Sequence, residues 1–152
     1  EEEKALTWVG VTQDIMAWGL RLEKKNKKKL IHNFEVDGLI VSTPTGSTGH
    51  SLSAGGSIVS PDLDAFLITP ICPLSLANRP LIIADHHKLK IKVKTKRDPE
   101  SPVGLTIDGQ VSFCLQQEDS IHIRKSAQTL KLVRVENYNF FKNLRSKLKW
   151  GN

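Results

Sequence analysis

Apolar and polar residues alternate along much of the chain with the period of a strand. Leu89-Lys90-Ile91-Lys92-Val93-Lys94 switches strictly between apolar and cationic positions, which predicts a strand with one buried and one wet face. Leu105-Thr106-Ile107 and Val111-Ser112-Phe113-Cys114-Leu115 flank Asp108-Gly109-Gln110, where glycine's tolerance of positive φ predicts a tight hairpin. Ile121-His122-Ile123 and Leu130-Lys131-Leu132-Val133-Arg134-Val135 read as a further strand pair. Upstream, Leu20-Arg21-Leu22 and Leu30-Ile31-His32-Asn33-Phe34 enclose a lysine-rich hairpin tip, and Leu6, Trp8, Met16 and Trp18 fit alternating strands. The run Leu39-Ile40-Val41 predicts a buried strand, which Pro44 and Gly46 force to turn. Helical character is confined to two places. Small residues start a helix after that turn, and Phe141, Leu144 and Leu148 recur at nearly helical spacing, predicting a short helix docked by its apolar side. Together these elements predict a mainly β, antiparallel, single domain over residues 1–152, with one short helix after the loop and another at the end.

Composition fits that picture. With 39% hydrophobic and 25% charged residues, the chain of 152 residues is globular in character and sized for one core. It has no long apolar run and no cleavable leader pattern, so the expected location is the cytoplasm, without a membrane partner. Cys72 and Cys114 lack a C-x-x-C spacing and read as reduced, buried thiols. The net charge of +6 owes much to Lys24, Lys25, Lys27, Lys28 and Lys29, and to Lys142, Arg145, Lys147 and Lys149. No stacking aromatics are interleaved with the first group, so a solvated hairpin tip is expected rather than specific nucleic-acid binding. His86 and His87 are adjacent; on a strand they would point to opposite faces and could not share a metal. No metal site and no hydrolase triad are expected.

The segment from Asp37 to Gly56 carries the candidate chemistry. Beyond Val41 it reads Ser42-Thr43-Pro44-Thr45-Gly46-Ser47-Thr48-Gly49-His50-Ser51-Leu52-Ser53-Ala54-Gly55-Gly56, with hardly any bulky side chain. Small hydroxyl-bearing residues at the start of a helix leave backbone N–H groups open to a phosphate or ribose. The same composition also suits a tight packing corner between strand and helix.

The wording Asp37-Gly38-Leu39-Ile40-Val41-Ser42-Thr43-Pro44-Thr45-Gly46-Ser47-Thr48, continued by Ser51-Leu52-Ser53-Ala54-Gly55-Gly56, resembles the signature of NAD kinases, which phosphorylate NAD to NADP with ATP. Ile68-Thr69-Pro70-Ile71-Cys72-Pro73, Asn78-Arg79-Pro80-Leu81, Thr106-Ile107-Asp108-Gly109-Gln110 and Leu144-Arg145 with Lys147-Leu148 extend the match. The resemblance implies the carboxyl-terminal, β-sandwich-like domain of such an enzyme, a ligand of NAD or NADP, and assembly as a homo-oligomer, either dimer or tetramer. It implies that Thr48 and Ser53 lie beside the adenosine or ribose, that Thr45 supports the loop, and that Asp37 contacts NAD bound at a neighbouring subunit.

Departures cluster where the ligand would sit. Gly49-His50 stand where the family has Ala-Tyr, Thr7-Trp8 where it has Asn-Glu, and Leu74 where it has histidine; His50 could still stack or hydrogen-bond. The family's Gly-Gly-Asp-Gly motif, which supplies the catalytic base from a preceding domain, is not in this sequence. No catalytic residue is therefore assigned, the chain alone is expected to be inactive, and ATP and Mg would be used only together with that other domain. Two alternatives stand beside this reading. One is a non-catalytic nucleotide-binding or sensing module, and the other is a homo-oligomeric scaffold, in which Trp8, Trp18 and Trp150 could serve core or interface.

Overall fold

A computed structural model describes residues 8–24, 27–95, 103–128 and 138–151, the stretch up to residue 28 by its backbone alone. Two long strands organise it: β1, Trp8–Lys24, and β2, Lys27–Ser42, pair antiparallel down to a Lys24–Lys27 closing pair, as the lysine-rich tip implied. Their ladder slips between Thr12 and Met16. There Thr12 pairs with Gly38 and Met16 with Val36, so that Gln13, Asp14 and Ile15 stand against Asp37 alone. The core-facing set of β2 changes parity at the same point, from Phe34 and Val36 to Leu39 and Val41. A bulge of this kind bends a strand pair and tightens its twist. At the bend β1 also exchanges partners on its other edge. Val9–Thr12 pairs with β6, Val103–Ile107, whereas Met16–Glu23 pairs with β5, Lys88–Thr95.

The remaining strands extend both sides. β3, Ala65–Ile71, joins the free edge of β2, and β4, Leu81–Ala84, follows it. β7, Val111–Leu115, pairs with β6 through the Asp108-Gly109 hairpin, whose φ values of 48° and 68° are those of a primed turn. β8, Ser120–Ile123, completes the path β4-β3-β2-β1-β5-β8. All pairings are antiparallel, so the mainly β reading holds.

A common core collects Phe34, Leu39 and Val41 with Phe66 and Ile68, Leu89, Ile91 and Val93, and Val103 and Leu105. Ile83 of β4 and Ile123 of β8, from opposite ends of the strand order, both pack against it, so the sheet curls around its own interior. Just outside that seam Lys125 Nζ lies 2.8 Å from Asp64 and 2.7 Å from Asp85, joining the chain after β8 to the flanks of β3 and β4. The bond and charge of Lys125 hold the Asp64 carboxyl below its ordinary pKa, and the two carboxylates raise that of Lys125.

Several local expectations are corrected. Cys72 and Cys114 are exposed: Cys72 follows the end of β3 in a left-handed turn at φ 45°, and Cys114 sits on the short outer strand β7. His86 and His87 occupy the turn from β4 to β5, with ring centroids 4.2 Å apart, instead of opposite faces of a strand. The terminal helix, named α2 below and spanning Phe140–Leu148, is anchored by buried Leu144, while Phe141 remains 56% exposed. Trp150 is exposed and so does not serve the core; the side chains of Trp8 and Trp18, and the strand expected over residues 130–135, lie outside the described residues.

Candidate functional site in the loop after the second strand

β2 delivers the chain into a 3-10 turn, Thr45–Thr48, followed by α1, His50–Ser53. Ser47 N–H donates to Pro44 O at 3.1 Å, Gly49 N–H to Gly46 O at 3.0 Å and Leu52 N–H to Gly49 O at 3.0 Å, so each tight turn hands over to the next. The helix the sequence promised is a single turn. Gly55, at φ +85°, then reverses the chain, and Gly56 N–H closes on Ser51 O at 2.7 Å.

This loop lies over the second, non-core face of β2 and β3. On that face Ile40 stands opposite Thr69, and Ser42 opposite Leu67; all four are buried. Two features fasten it there, and a third, between Ser47 and Val59, closes the loop on itself. Ser51 and Thr69 hydroxyls are 2.8 Å apart, fully buried. Ser47 Oγ accepts from Val59 N–H at 3.1 Å and donates to Val59 O at 3.4 Å. Gly56 fits so closely that a Cβ there would stand 2.6 Å from Ser51 O and 2.9 Å from Thr69 Oγ1. The two readings of the small-residue composition therefore divide by residue: Ser47, Ser51 and Gly56 serve the packing corner, and a different subset faces outward.

That outward subset is Thr45, Gly49, His50 and Ser53, all exposed, with Thr48 half-buried. Thr48 borders a cavity of about 210 Å³ whose other lining comes from α2 and the residues just before it: Tyr138, Phe140, Asn143, Leu144, Lys147 and Leu148. Asn139 starts α2 by accepting from Lys142 N–H at 2.9 Å, the usual N-cap bond, and Leu144 pins the helix from below. Asp37 is not part of this constellation. It sits half-buried at the bulge, five residues before the end of β2, which at strand rise is about 17 Å away.

Residues 13–135 match the family described as ATP-NAD kinase C-terminal domain. The chain belongs to that family. The NAD kinase of Citrifermentans bemidjiense is 43% identical over 152 residues, covering 99% of this chain and 52% of that enzyme. The NAD kinase of Acidobacterium capsulatum is 48% identical over 122 residues, 80% of this chain and 42% of the relative. This NAD-kinase C-terminal domain thus spans about half the length of the curated relatives it matches. Among solved structures, yeast NADH kinase complexed with NADH superposes with a TM-score of 0.82 at 28% identity, over 95% of this chain and 44% of that one. An Archaeoglobus fulgidus NAD kinase in complex with ATP gives 0.68 at 28% identity, over 81% and 46%.

Of the residues singled out in the sequence, the domain brings Thr45, Thr48, Gly49, His50 and Ser53 onto one outward segment and leaves Asp37 apart. Tyr138, Asn143 and Lys147 were not foreseen as neighbours of Thr48. The available signal was the spacing of Phe140, Asn143 and Leu144, then Lys147 and Leu148, which puts these residues on one side of a helix. No helix among the described residues is long and apolar enough to cross a membrane.

Proposed function

We propose that this domain binds NAD or NADP through the Thr45–Ser53 segment and, within a whole cytoplasmic enzyme, supports ATP-dependent phosphorylation of the adenosine ribose 2'-hydroxyl of NAD. The observation that carries this reading is the placement of Thr48 at the rim of a cavity, beside exposed Gly49, His50 and Ser53, on a loop fastened from beneath. A loop held rigid by its buried members loses little entropy on binding, which favours a preorganised ligand contact. Hydroxyls of Thr48 and Ser53 suit a ribose, the His50 ring suits a base, and Gly49 lets a ligand come close to the backbone. Phosphoryl transfer depends chiefly on positioning and charge stabilisation, so a domain that grips the acceptor contributes without supplying the base. The ligands named for the yeast and Archaeoglobus relatives, NADH and ATP, support the nucleotide class.

Asp37, set about 17 Å along β2 from the loop, fits a role at a site shared with a second copy in a dimer or tetramer. A carboxylate there would accept hydrogen bonds from ribose or carboxamide, each contributing roughly 1.5 to 3 kcal/mol when shielded from water. The test is calorimetric titration of the 152-residue chain with NAD, NADP and ATP at fixed salt, alongside Asp37→Ala and a thermal melt. Saturable NAD or NADP binding, weakened roughly tenfold or more in Asp37→Ala with the melt unchanged, is expected. Absence of any nucleotide binding would overturn the proposal, and unchanged affinity in Asp37→Ala would remove Asp37 from it. Exposed Leu74, in the family's histidine position, and Gly49-His50 favour the second reading, a non-catalytic adenine-nucleotide module. The nucleotide retained by purified protein separates the two.

A further inference from the structure

The cavity between the loop and α2 has three kinds of lining. Tyr138, Phe140, Leu144 and Leu148 give it an apolar, partly aromatic wall; Thr48 and Asn143 add neutral hydrogen-bonding groups; Lys147 brings the lining's full charge, with no carboxylate among these residues. An apolar wall that suits a ring and an ammonium group beside it are complementary to an aromatic anion. Lys147 stands in the last turn of α2, where the helix end favours a cation, but that preference does not require it to line the cavity. Lys147 has no ion pair among the described residues, as is also true of Lys142 and Lys149; what sets it apart is its place in the cavity lining.

We infer that Lys147, with Asn143 one turn before it, recognises a phosphate of the nucleotide whose ring lies against the α2 side of the cavity, making α2 the anion-recognising wall of the site that Thr48 opens onto. The inference deepens the proposed function and rests on it: it assigns the phosphate contact to a helix that begins nearly ninety residues after the loop. Lys147 acts by charge and reach, so arginine should substitute for it and a neutral side chain should not.

The experiment titrates the wild-type chain, Lys147→Ala and Lys147→Arg with NADP and with NAD at two salt concentrations. Lys147→Ala is expected to weaken NADP binding about three- to tenfold, in the range of a partly exposed charged contact, and to flatten its salt dependence, while Lys147→Arg stays within about twofold of wild type. An unshifted thermal melt in Lys147→Ala excludes a merely structural role. A loss seen for NADP alone assigns the contact to the 2'-phosphate, and an equal loss for NAD assigns it to the diphosphate. Wild-type binding with equal affinity in Lys147→Ala overturns this inference alone. If the wild-type chain binds neither nucleotide, the proposed function fails first and the phosphate contact falls with it.

Discussion

Replacing Gly56 by alanine tests whether the loop is held to the sheet as described. The added Cβ would sit 2.6 Å from Ser51 O and 2.9 Å from Thr69 Oγ1, against an ordinary non-bonded separation of roughly 3.5 Å. Neither neighbour can step aside easily. Ser51 O is the acceptor of the Gly56 N–H bond that closes the turn, and Thr69 belongs to a strand buried on both faces. Relief requires the loop to lift, which parts the Ser51 and Thr69 hydroxyls, now 2.8 Å apart, and leaves them buried without each other. Overpacking of this sort costs about 1 to 3 kcal/mol. A stranded hydroxyl adds about 1 to 3 kcal/mol. The expected loss is therefore about 2 to 6 kcal/mol, read as a lowered urea midpoint at unchanged slope. In thermal unfolding it corresponds to a fall of roughly 4 to 24 °C for a chain of this size. Gly55→Ala is the internal control: a Cβ there meets nothing within 4 Å, but its φ of +85° disfavours a side chain, for about 1 kcal/mol. A loss below about 1 kcal/mol in Gly56→Ala, or a larger loss in Gly55→Ala, would refute the packing argument.

Two other outcomes follow from named atoms. Ser42 Oγ is a buried hydroxyl without a hydrogen-bond partner among the described residues, so Ser42→Ala is expected to be neutral or to stabilise by up to about 1 kcal/mol in urea titration, and a loss of about 1 kcal/mol or more would contradict that. The Asp64 carboxyl, held low by Lys125, contributes stability that is present above its unfolded pKa and disappears as pH falls through the lowered folded value. In Lys125→Ala its NMR titration is expected to move up to the ordinary aspartate range, with a weaker acid dependence of stability between wild-type midpoint and that range; an unmoved titration would sink the assignment.

Strand-level structure was legible wherever one face meets water and the other meets the core. Leu89–Lys94 shows this cleanly, with Leu89, Ile91 and Val93 buried and the lysines between them partly or fully exposed, as did the Asp108-Gly109 hairpin. Legibility failed where covering came from elsewhere in the chain. Leu39-Ile40-Val41 is apolar throughout because the core takes Leu39 and Val41 while the loop covers Ile40, and such a run conceals the parity change at Asp37. The exposure of Cys72 and Cys114 was misjudged because composition ranks cysteine as a buried type, whereas the outer position of their segments decides. In α2 the spacing was right and the face was displaced by one residue, since Phe140 rather than Phe141 turns toward the cavity. For the candidate site, the motif marked the outward residues of the loop. The lining from α2 was hidden because no local period links Thr48 to Lys147, which lie about a hundred residues apart in the chain and border one cavity.

β4 and β8 are the two ends of the main strand path, and each has four residues. An end strand presents unpaired N–H and C=O groups that can template another molecule, and shortness is one protection. The Lys125 clasp is a second, because it keeps the flanks of both end strands gathered at one seam. Protonating Asp64 and Asp85 removes the charge that holds Lys125 there, while Ile82 of β4 already shows 47% of its surface to solvent. Loss of charge on the two carboxylates therefore unties the flanks of both end strands at once, at the places where a strand edge is open to another molecule.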